Sequence, residues 1–145
     1  MYKVLFLFTV AFAAFALACG SSGSGSSGGS ANTGKAIKSG PAGKNVTVTL
    51  SNADGVFKKG KQTFTLTFAD ASGKPVDVGS ASLNFFMPSM GSMSAMNNPA
   101  TLTTTSTPGV YSATANIEMG GEWQAQIKYD GPAGTGSANI AITAQ

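Results

Sequence analysis

Apolar and polar residues alternate with a period of two along most of the chain from residue 45 onward. In the clearest run, Phe64, Leu66 and Phe68 alternate with threonines. Because successive side chains of a β-strand point to opposite faces, this alternation predicts strands with one buried face. No run after residue 45 keeps the 3.6-residue period of a helix. The predicted strands span residues 46–50, 64–68, 81–87, 111–117, 123–129 and 138–142, with a shorter strand near 102–105.

Turn-forming residues separate these strands at short intervals. Residues 70–75 contain Asp, Gly and Pro, and Thr107-Pro108-Gly109 precedes the next long strand. About seven short strands within about 100 residues predict an all-β fold, an antiparallel β-sandwich of the immunoglobulin-like type. The chain lacks the Cys-Trp-Cys pattern of a true immunoglobulin domain. The residues expected in the core are Phe64, Leu66, Leu83, Phe85, Ala113, Trp123, Ile127 and Ile140.

The N-terminal segment has the pattern of an export signal. Lys3 precedes a largely apolar stretch from Val4 to Ala18, and Cys19 follows at once. This arrangement resembles a bacterial lipoprotein signal, which implies cleavage before Cys19 and acylation of its thiol and amine. A transmembrane helix is the alternative, but a span needs about 20 apolar residues and this stretch is shorter. We therefore expect residues 1–18 to be a signal peptide and Cys19 to carry the lipid.

Serine and glycine dominate the residues that follow Cys19. Residues 20–30 consist of these two residue types alone, a composition typical of linkers. We expect residues 19–44 to form a lipid-anchored linker and residues 45–145 to form the folded domain. The anchor predicts a place in the bacterial cell envelope. That place is the periplasmic face of the outer membrane in a diderm cell, or the outer face of the plasma membrane in a monoderm cell.

The charge balance excludes several classes of function. Charged residues make up 10% of the chain, with nine lysines and no arginine, and the formal net charge is +3. Nucleic-acid binding depends on a dense basic surface, so we predict no nucleic-acid partner. The chain has no histidine, the commonest general base and imidazole ligand. Because Cys19 is the single cysteine and no base is present to activate a serine, we predict that the protein is not an enzyme.

Methionine is concentrated in one segment of the sequence. Met87, Met90, Met93 and Met96 recur at intervals of three, and apart from the first residue the other methionine is Met119. Thioether sulfur is a soft, uncharged ligand that suits Cu(I) or Ag(I) and not Ca²⁺ or Mg²⁺. The intervening Pro, Gly and Ser exclude a helix, but a loop can fold several sulfurs around one ion. Two other interpretations stay open, namely packing in the core, where methionine fills irregular gaps, and apolar contact with a partner.

Four short motifs follow one another in a recognisable order. They are Gly73–Val76, Phe86–Met90, Pro108–Ala113 and Met119–Trp123. The ordered set resembles the YtkA-like domain, which is related to the FixH proteins, over residues 45–144. The resemblance implies an exported or membrane-bound β-sandwich, often encoded near copper-handling or cytochrome oxidase systems. A copper-handling or oxidase-assembly protein is therefore the partner that the resemblance implies.

Alternating strand directions predict which loops share one end of the sandwich. The methionine-rich loop follows the third predicted strand, and the loops at 51–61 and 118–121 then lie at the same end. Met119 is expected to approach the methionine-rich loop, or else to pack within its own hairpin. The lysines of the first loop either flank the site or are merely solvated, and Trp123 is either a core residue or a cation–π partner. These lysines are Lys58, Lys59 and Lys61.

The sequence as a whole predicts an exported, lipid-anchored, non-catalytic binding module. We expect Cu(I) or Ag(I) as its ligand. The alternative is a structural or assembly module that uses the methionine-rich loop as an apolar contact with another protein. The expected metal ligands are Met87, Met90, Met93, Met96 and Met119.

Overall fold

A computed structural model describes residues 34–145, which form two antiparallel β-sheets around a shared core. The predicted signal peptide, Cys19 and the rest of residues 1–33 lie outside the described residues. Within residues 34–145, no helix is long and apolar enough to cross a membrane. The strands are β1 (Lys35–Gly43), β2 (Val46–Asn52), β3 (Gly60–Ala69), β4 (Ser80–Met87), β5 (Met96–Pro99), β6 (Thr101–Thr104), β7 (Val110–Ile117), β8 (Gly121–Gly131) and β9 (Gly134–Ala144).

The two sheets pack their apolar faces against each other. The first sheet has the strand order β1-β2-β3-β7-β6, and the second sheet has the order β5-β4-β8-β9. Neighbouring strands pair antiparallel throughout the described residues. All eight residues that the alternation predicted for the core are buried, with exposed fractions between 0 and 6%. The predicted antiparallel β-sandwich is therefore confirmed.

The described residues form nine strands, whereas the sequence predicted about seven. One additional strand arises where the chain crosses between the sheets. β5 pairs with β4 in the second sheet, and after Ala100 the chain continues as β6, which pairs with β7 in the first sheet. The predicted strand near residues 102–105 corresponds to β6. β5 has the sequence Met-Asn-Asn-Pro, which lacks the apolar alternation that marks a strand.

The other additional strand, β1, corrects the predicted boundary of the linker. The sequence predicted a linker as far as residue 44, whereas Lys35–Gly43 pair with β2 along the edge of the first sheet. Ala42 is the one buried residue of β1, and register shifts interrupt its pairing. Backbone pairing with β2 holds this strand, and it does not bury a regular apolar face. Its sequence therefore shows no alternation of apolar and polar residues from which the strand could be predicted. The folded domain therefore includes Lys35–Gly43.

Three loops meet at one end of the sandwich, which we call the methionine end. They span residues 53–59, 88–95 and 118–120. Their grouping follows from the strand register, since Gly60 pairs with Ile117 and Phe86 pairs with Gln124. This arrangement is the one that alternating strand directions predicted. The C-terminal residue also lies here, because the backbone N–H of Gln145 donates to the carbonyl of Phe57 at 3.0 Å.

Phe57 belongs to the core although it lies in a loop. Its side chain is 2% exposed, and its ring centroid lies 5.1 Å from that of Phe85 and 5.7 Å from that of Phe64. The buried side chain of Asn52 shapes the loop through hydrogen bonds of 2.6 and 2.7 Å to its backbone. The loop thus folds back over the methionine end, where Phe57 closes the core.

Candidate functional site

The centre of the methionine-rich segment is a two-residue β-hairpin, Met90–Met93, which we call the methionine hairpin. The backbone N–H of Met93 donates to the carbonyl of Met90 at 2.9 Å, and the N–H of Met90 donates to the carbonyl of Met93 at 3.2 Å. Gly91, the first central residue of the turn, has φ +58°, which glycine adopts without steric cost. Glycine at this position is typical of a type II′ turn. A glycine at position 91 therefore favours closure of the hairpin by local sequence alone.

The two methionine side chains of this hairpin lie on the same side of its backbone. Residues directly opposite each other in an antiparallel pair share a face, with Cβ atoms about 4.5–5.5 Å apart. Met90 is 50% exposed and Met93 is 39% exposed. Within the part of the chain that the structure describes, they are the two large apolar side chains classed as exposed. The turn thus presents two thioethers to solvent side by side.

Met87 and Met96 form a second opposed pair, at the end of β4 and the start of β5. Their side chains also share a face, but this face is turned to the core. Met87 is 2% exposed, and Met96 packs against the core from a partly buried position. The terminal methyl of Met87 lies so close to Gly121 that a Cβ on the glycine would stand 3.2 Å from it. The Met87 side chain is therefore part of the core packing.

Met119 lies in the turn between β7 and β8, at the methionine end. It packs against the core from a partly buried position. Its backbone carbonyl accepts a hydrogen bond from the indole N–H of Trp123 at 3.1 Å. Trp123 is 1% exposed, so its interpretation as a core residue is confirmed. The five methionines share one end of the sandwich but divide into an exposed pair and three side chains in or against the core.

Three lysines lie near the methionine end, in the loop between β2 and β3 and in the first residues of β3. Lys58, Lys59 and Lys61 are all exposed. Lys58 forms an ion pair with Asp54, and the hydrogen bond that Lys58 donates lowers the pKa of the Asp54 carboxyl below its usual value. Because both partners are exposed, this ion pair contributes little to stability. The lysines are solvated groups at the end where the sequence predicted them.

Met90 also borders a cavity of about 290 Å³ beside the second sheet. The lining includes Glu122 and Gln124, which alternate with buried Trp123 and so face away from the core. The alternation in the sequence is a signal that could have indicated this outward face. Lys38 of β1 also lines the cavity. Its place in the lining depends on a strand that the sequence did not reveal.

The chemistry available at the methionine hairpin is that of neutral sulfur. Within residues 34–145, no three His, Cys, Asp or Glu side chains come together as a potential metal site. Met90 and Met93 offer soft donors that suit a cation such as Cu(I) and bind hard divalent ions poorly. Since a thioether carries no proton, a site made from this pair requires no deprotonation. The arrangement therefore suits reversible binding of a soft cation more than acid–base chemistry.

Residues 42–128 match a family model described as YtkA-like. The match begins within β1 and ends within β8, so it contains both methionine pairs and Met119. No curated protein and no solved structure matches the chain.

Proposed function

The chain belongs to the YtkA-like family, and from this premise we propose that it is an exported, lipid-anchored, non-catalytic module that binds Cu(I) or Ag(I). The family model covers more than half of the chain, and a YtkA-like domain is consistent with a copper-related or accessory role. The observation that carries the proposal is the exposed pair of thioethers at Met90 and Met93.

The backbone of the methionine hairpin is already held by hydrogen bonds. Cation binding therefore costs little main-chain conformational entropy, which favours the affinity. The two hydrogen bonds between Met90 and Met93 hold the hairpin, so cation binding needs to order only the side-chain torsions. We assign the first contact with the cation to this pair. Met119 lies partly buried at the same end of the sandwich and is the candidate for a further ligand. Met87 would have to leave the core, at the cost of a cavity.

We further propose that Cys19 carries the lipid that retains the protein in the cell envelope. The support is the sequence pattern of residues 1–19, which lie outside the described residues. The membrane is the outer membrane of a diderm cell, on its periplasmic face, or the outer face of a monoderm plasma membrane. The partner we propose is a copper-handling or oxidase-assembly protein.

The exposed pair also supports a second candidate function, that of a structural or assembly module. Met90 and Met93 are the exposed large apolar side chains of residues 34–145. Methionine adapts its shape to a partner surface, so the pair can serve as an apolar protein contact. In this role the apolar bulk matters and the sulfur is dispensable.

A competition titration with a Cu(I) chelator distinguishes the two functions. The titration uses the mature chain with Cys19→Ala, so that no free thiol competes for the metal. We expect Met90→Leu/Met93→Leu to weaken Cu(I) binding by about tenfold or more, because leucine keeps the bulk and removes the ligand.

The wild-type affinity should not vary with pH, since no ligand of the pair loses a proton on binding.

The matched control is Met87→Leu/Met96→Leu, which removes two sulfurs from the opposed pair that faces the core. Such volume-conserving exchanges are usually well tolerated. We expect this variant to keep most of the Cu(I) affinity. Equal affinity of the wild type and the Met90/Met93 variant would rule out the cation site and leave the apolar contact as the function of the pair.

A further inference from the structure

The N-terminal strand enters the sandwich at the methionine end. Lys35, the first residue of β1, is the register partner of Asn52, the last residue of β2. Gly55 lies so close that a Cβ on it would stand 2.8 Å from the Cβ of Lys35. Three residues farther along, Lys38 borders the same cavity as Met90. The segment that connects Cys19 to the domain therefore joins it near the methionine hairpin.

The length of that segment limits how far the methionine end can lie from the membrane. Residues 20–33 separate Cys19 from the first described residue, and they are mainly Ser and Gly. The scaling for Gly-rich chains predicts a mean reach of about 20 Å for a segment of this length. The sandwich itself is longer, because a strand such as β9, with 11 residues, spans about 36 Å. A lipid on Cys19 thus keeps the methionine end nearer the bilayer than the opposite end.

We propose that the Met90–Met93 pair faces the membrane that holds the lipid, and that it exchanges its cation with an integral protein of that same membrane. This inference rests on the proposed lipid-anchored cation site and names the partner of that site. A soluble carrier would have to enter the narrow space between the domain and the bilayer. A cation site at the surface of an integral membrane protein already lies within the reach of the linker.

The bilayer itself fits this end less well than a protein does. Among residues 34–145 the exposed large apolar side chains are two methionines. Of the three exposed lysines at this end, Lys58 is paired with Asp54, and Lys59 and Lys61 are solvated. Two half-exposed side chains add little to the membrane affinity that an acyl anchor supplies. A partner that presents thioether or thiolate ligands fits the chemistry of the pair. The cation then passes by ligand exchange between two soft sites and keeps its oxidation state.

Energy transfer from Trp123 measures the predicted orientation. Trp123 is the single tryptophan of the chain and lies in β8, two residues after its start at the methionine end. The acceptor is a dansyl headgroup in vesicles of phosphatidylethanolamine and phosphatidylglycerol that carry the full lipidated protein. The comparison is a circular permutant that starts at Ala133, joins residue 145 to residue 34, and carries residues 1–33 at its new N-terminus. We expect strong transfer in the native arrangement and a several-fold loss in the permutant.

A second variant keeps the native strand order if the permutant fails to fold. It repeats residues 20–33 once, which lengthens the linker and should lower the transfer from Trp123. The Cys19→Ala chain should show no transfer because it lacks the anchor. Transfer that is equal in all the lipidated forms, or stronger in the permutant, would overturn the proposed orientation.

Photo-crosslinking in cells identifies the class of partner. A photoreactive residue replaces Ser92 in the methionine hairpin, and a matched one replaces Ala133 at the opposite end. We expect adducts from position 92 to a protein that stays in the membrane after alkaline carbonate extraction, and their loss in the circular permutant. Adducts to soluble proteins alone, or to lipid alone, would overturn the inference. The Cu(I) titration of the chain without lipid is independent of orientation, so a failure of the cation site is distinguishable from a failure of this inference.

Discussion

The turn at Gly91 determines which methionines face each other. Met90 pairs with Met93, Met87 pairs with Met96, and both pairs are symmetric about this turn. The interval of three residues therefore produces two nested cross-strand pairs instead of a ring of four equivalent ligands. The Met90–Met93 pair points to solvent, and the Met87–Met96 pair points to the core. Side chains of one chemical type thus differ in how accessible they are to a cation.

Gly91→Ala tests at the residue scale whether the hairpin geometry supports binding. A Cβ at Gly91 would meet no atom within 4 Å, so the substitution acts through φ +58° alone. We expect a strain of about 1–2 kcal/mol, because a left-handed conformation is unfavourable for alanine. Cu(I) affinity in the chelator titration should fall, since the altered turn no longer holds Met90 and Met93 opposite each other.

Gly73→Ala is the matched control for the turn variant. Gly73 has φ +85° and also has no atom within 4 Å of an added Cβ, but it lies in the β3–β4 connection. It should lower stability by a similar amount and leave the Cu(I) affinity unchanged. Loss of affinity in both variants, or in neither, would argue against a site built on the methionine hairpin.

The edge strands are the elements that close the sides of the sandwich. On one side the chain crosses from β5 to β6 at Ala100, and the N–H of Ala100 donates to the carbonyl of Leu83 at 2.9 Å. The buried side chain of Asn98 donates to the carbonyl of Asn116 at 2.8 Å and so connects β5 to β7. On the other side β1 covers the edge of β2. Backbone and amide hydrogen bonds, rather than apolar alternation, hold these edges.

Removal of β1 tests its contribution at the element scale. A chain that begins at residue 45 loses the paired edge of β2 and the fully buried Ala42. We expect a free energy of unfolding lower by about 3 kcal/mol or more than that of a chain beginning at residue 34, since several net hydrogen-bond contributions disappear. Urea unfolding measures both the midpoint and the slope. Identical curves for the two chains would mean that β1 does not belong to the cooperative unit.

At the scale of the whole molecule, the two sheets are connected at both ends. At the methionine end Phe57 and the C-terminal residue close the core. At the opposite end the hydroxyl of Tyr111 in the first sheet donates to the carbonyl of Gly79, just before β4 of the second sheet, at 2.6 Å. The ring of Tyr111 meets Phe68 edge-on at 5.9 Å. One hydrogen bond therefore joins the sheets at the end opposite the methionine hairpin.

Tyr111→Phe should lower stability and change its dependence on pH. Loss of the hydrogen bond to Gly79 should cost about 1 kcal/mol at neutral pH. Burial, together with the nearby charge of Asp77, raises the pKa of the Tyr111 phenol in the folded protein. The stability from this group is therefore complete below the unfolded pKa of about 10, and it is lost as the pH rises through the folded value. Urea midpoints measured from neutral to alkaline pH should fall less steeply in the variant, and equal slopes would contradict this assignment.

The sequence by itself determined the strands that have one buried face and the chemistry available to a ligand. Period-two alternation is a local property of the sequence. Phe64, Leu83 and Ile127 are buried as it predicts, because burial of the apolar face stabilises each strand in the same way. The spacing of turn residues determined the direction of the long strands and hence the end that carries Met119. The residue types determined that neutral thioethers, with no imidazole, are the soft donors of the domain.

Only the tertiary structure decided which strands lie at the edges, and with them the geometry of the site. β1 pairs with β2 through backbone hydrogen bonds, and no pattern in Lys35–Gly43 predicts that partner. Because of this added strand, the chain enters the domain at the methionine end, and Lys38 lines the same cavity as Met90. The division of the methionines into exposed and buried pairs likewise arises from the pairing of β4 with β5. Contacts between distant segments depend on register and on the space left by the rest of the fold, which a local sequence pattern does not contain.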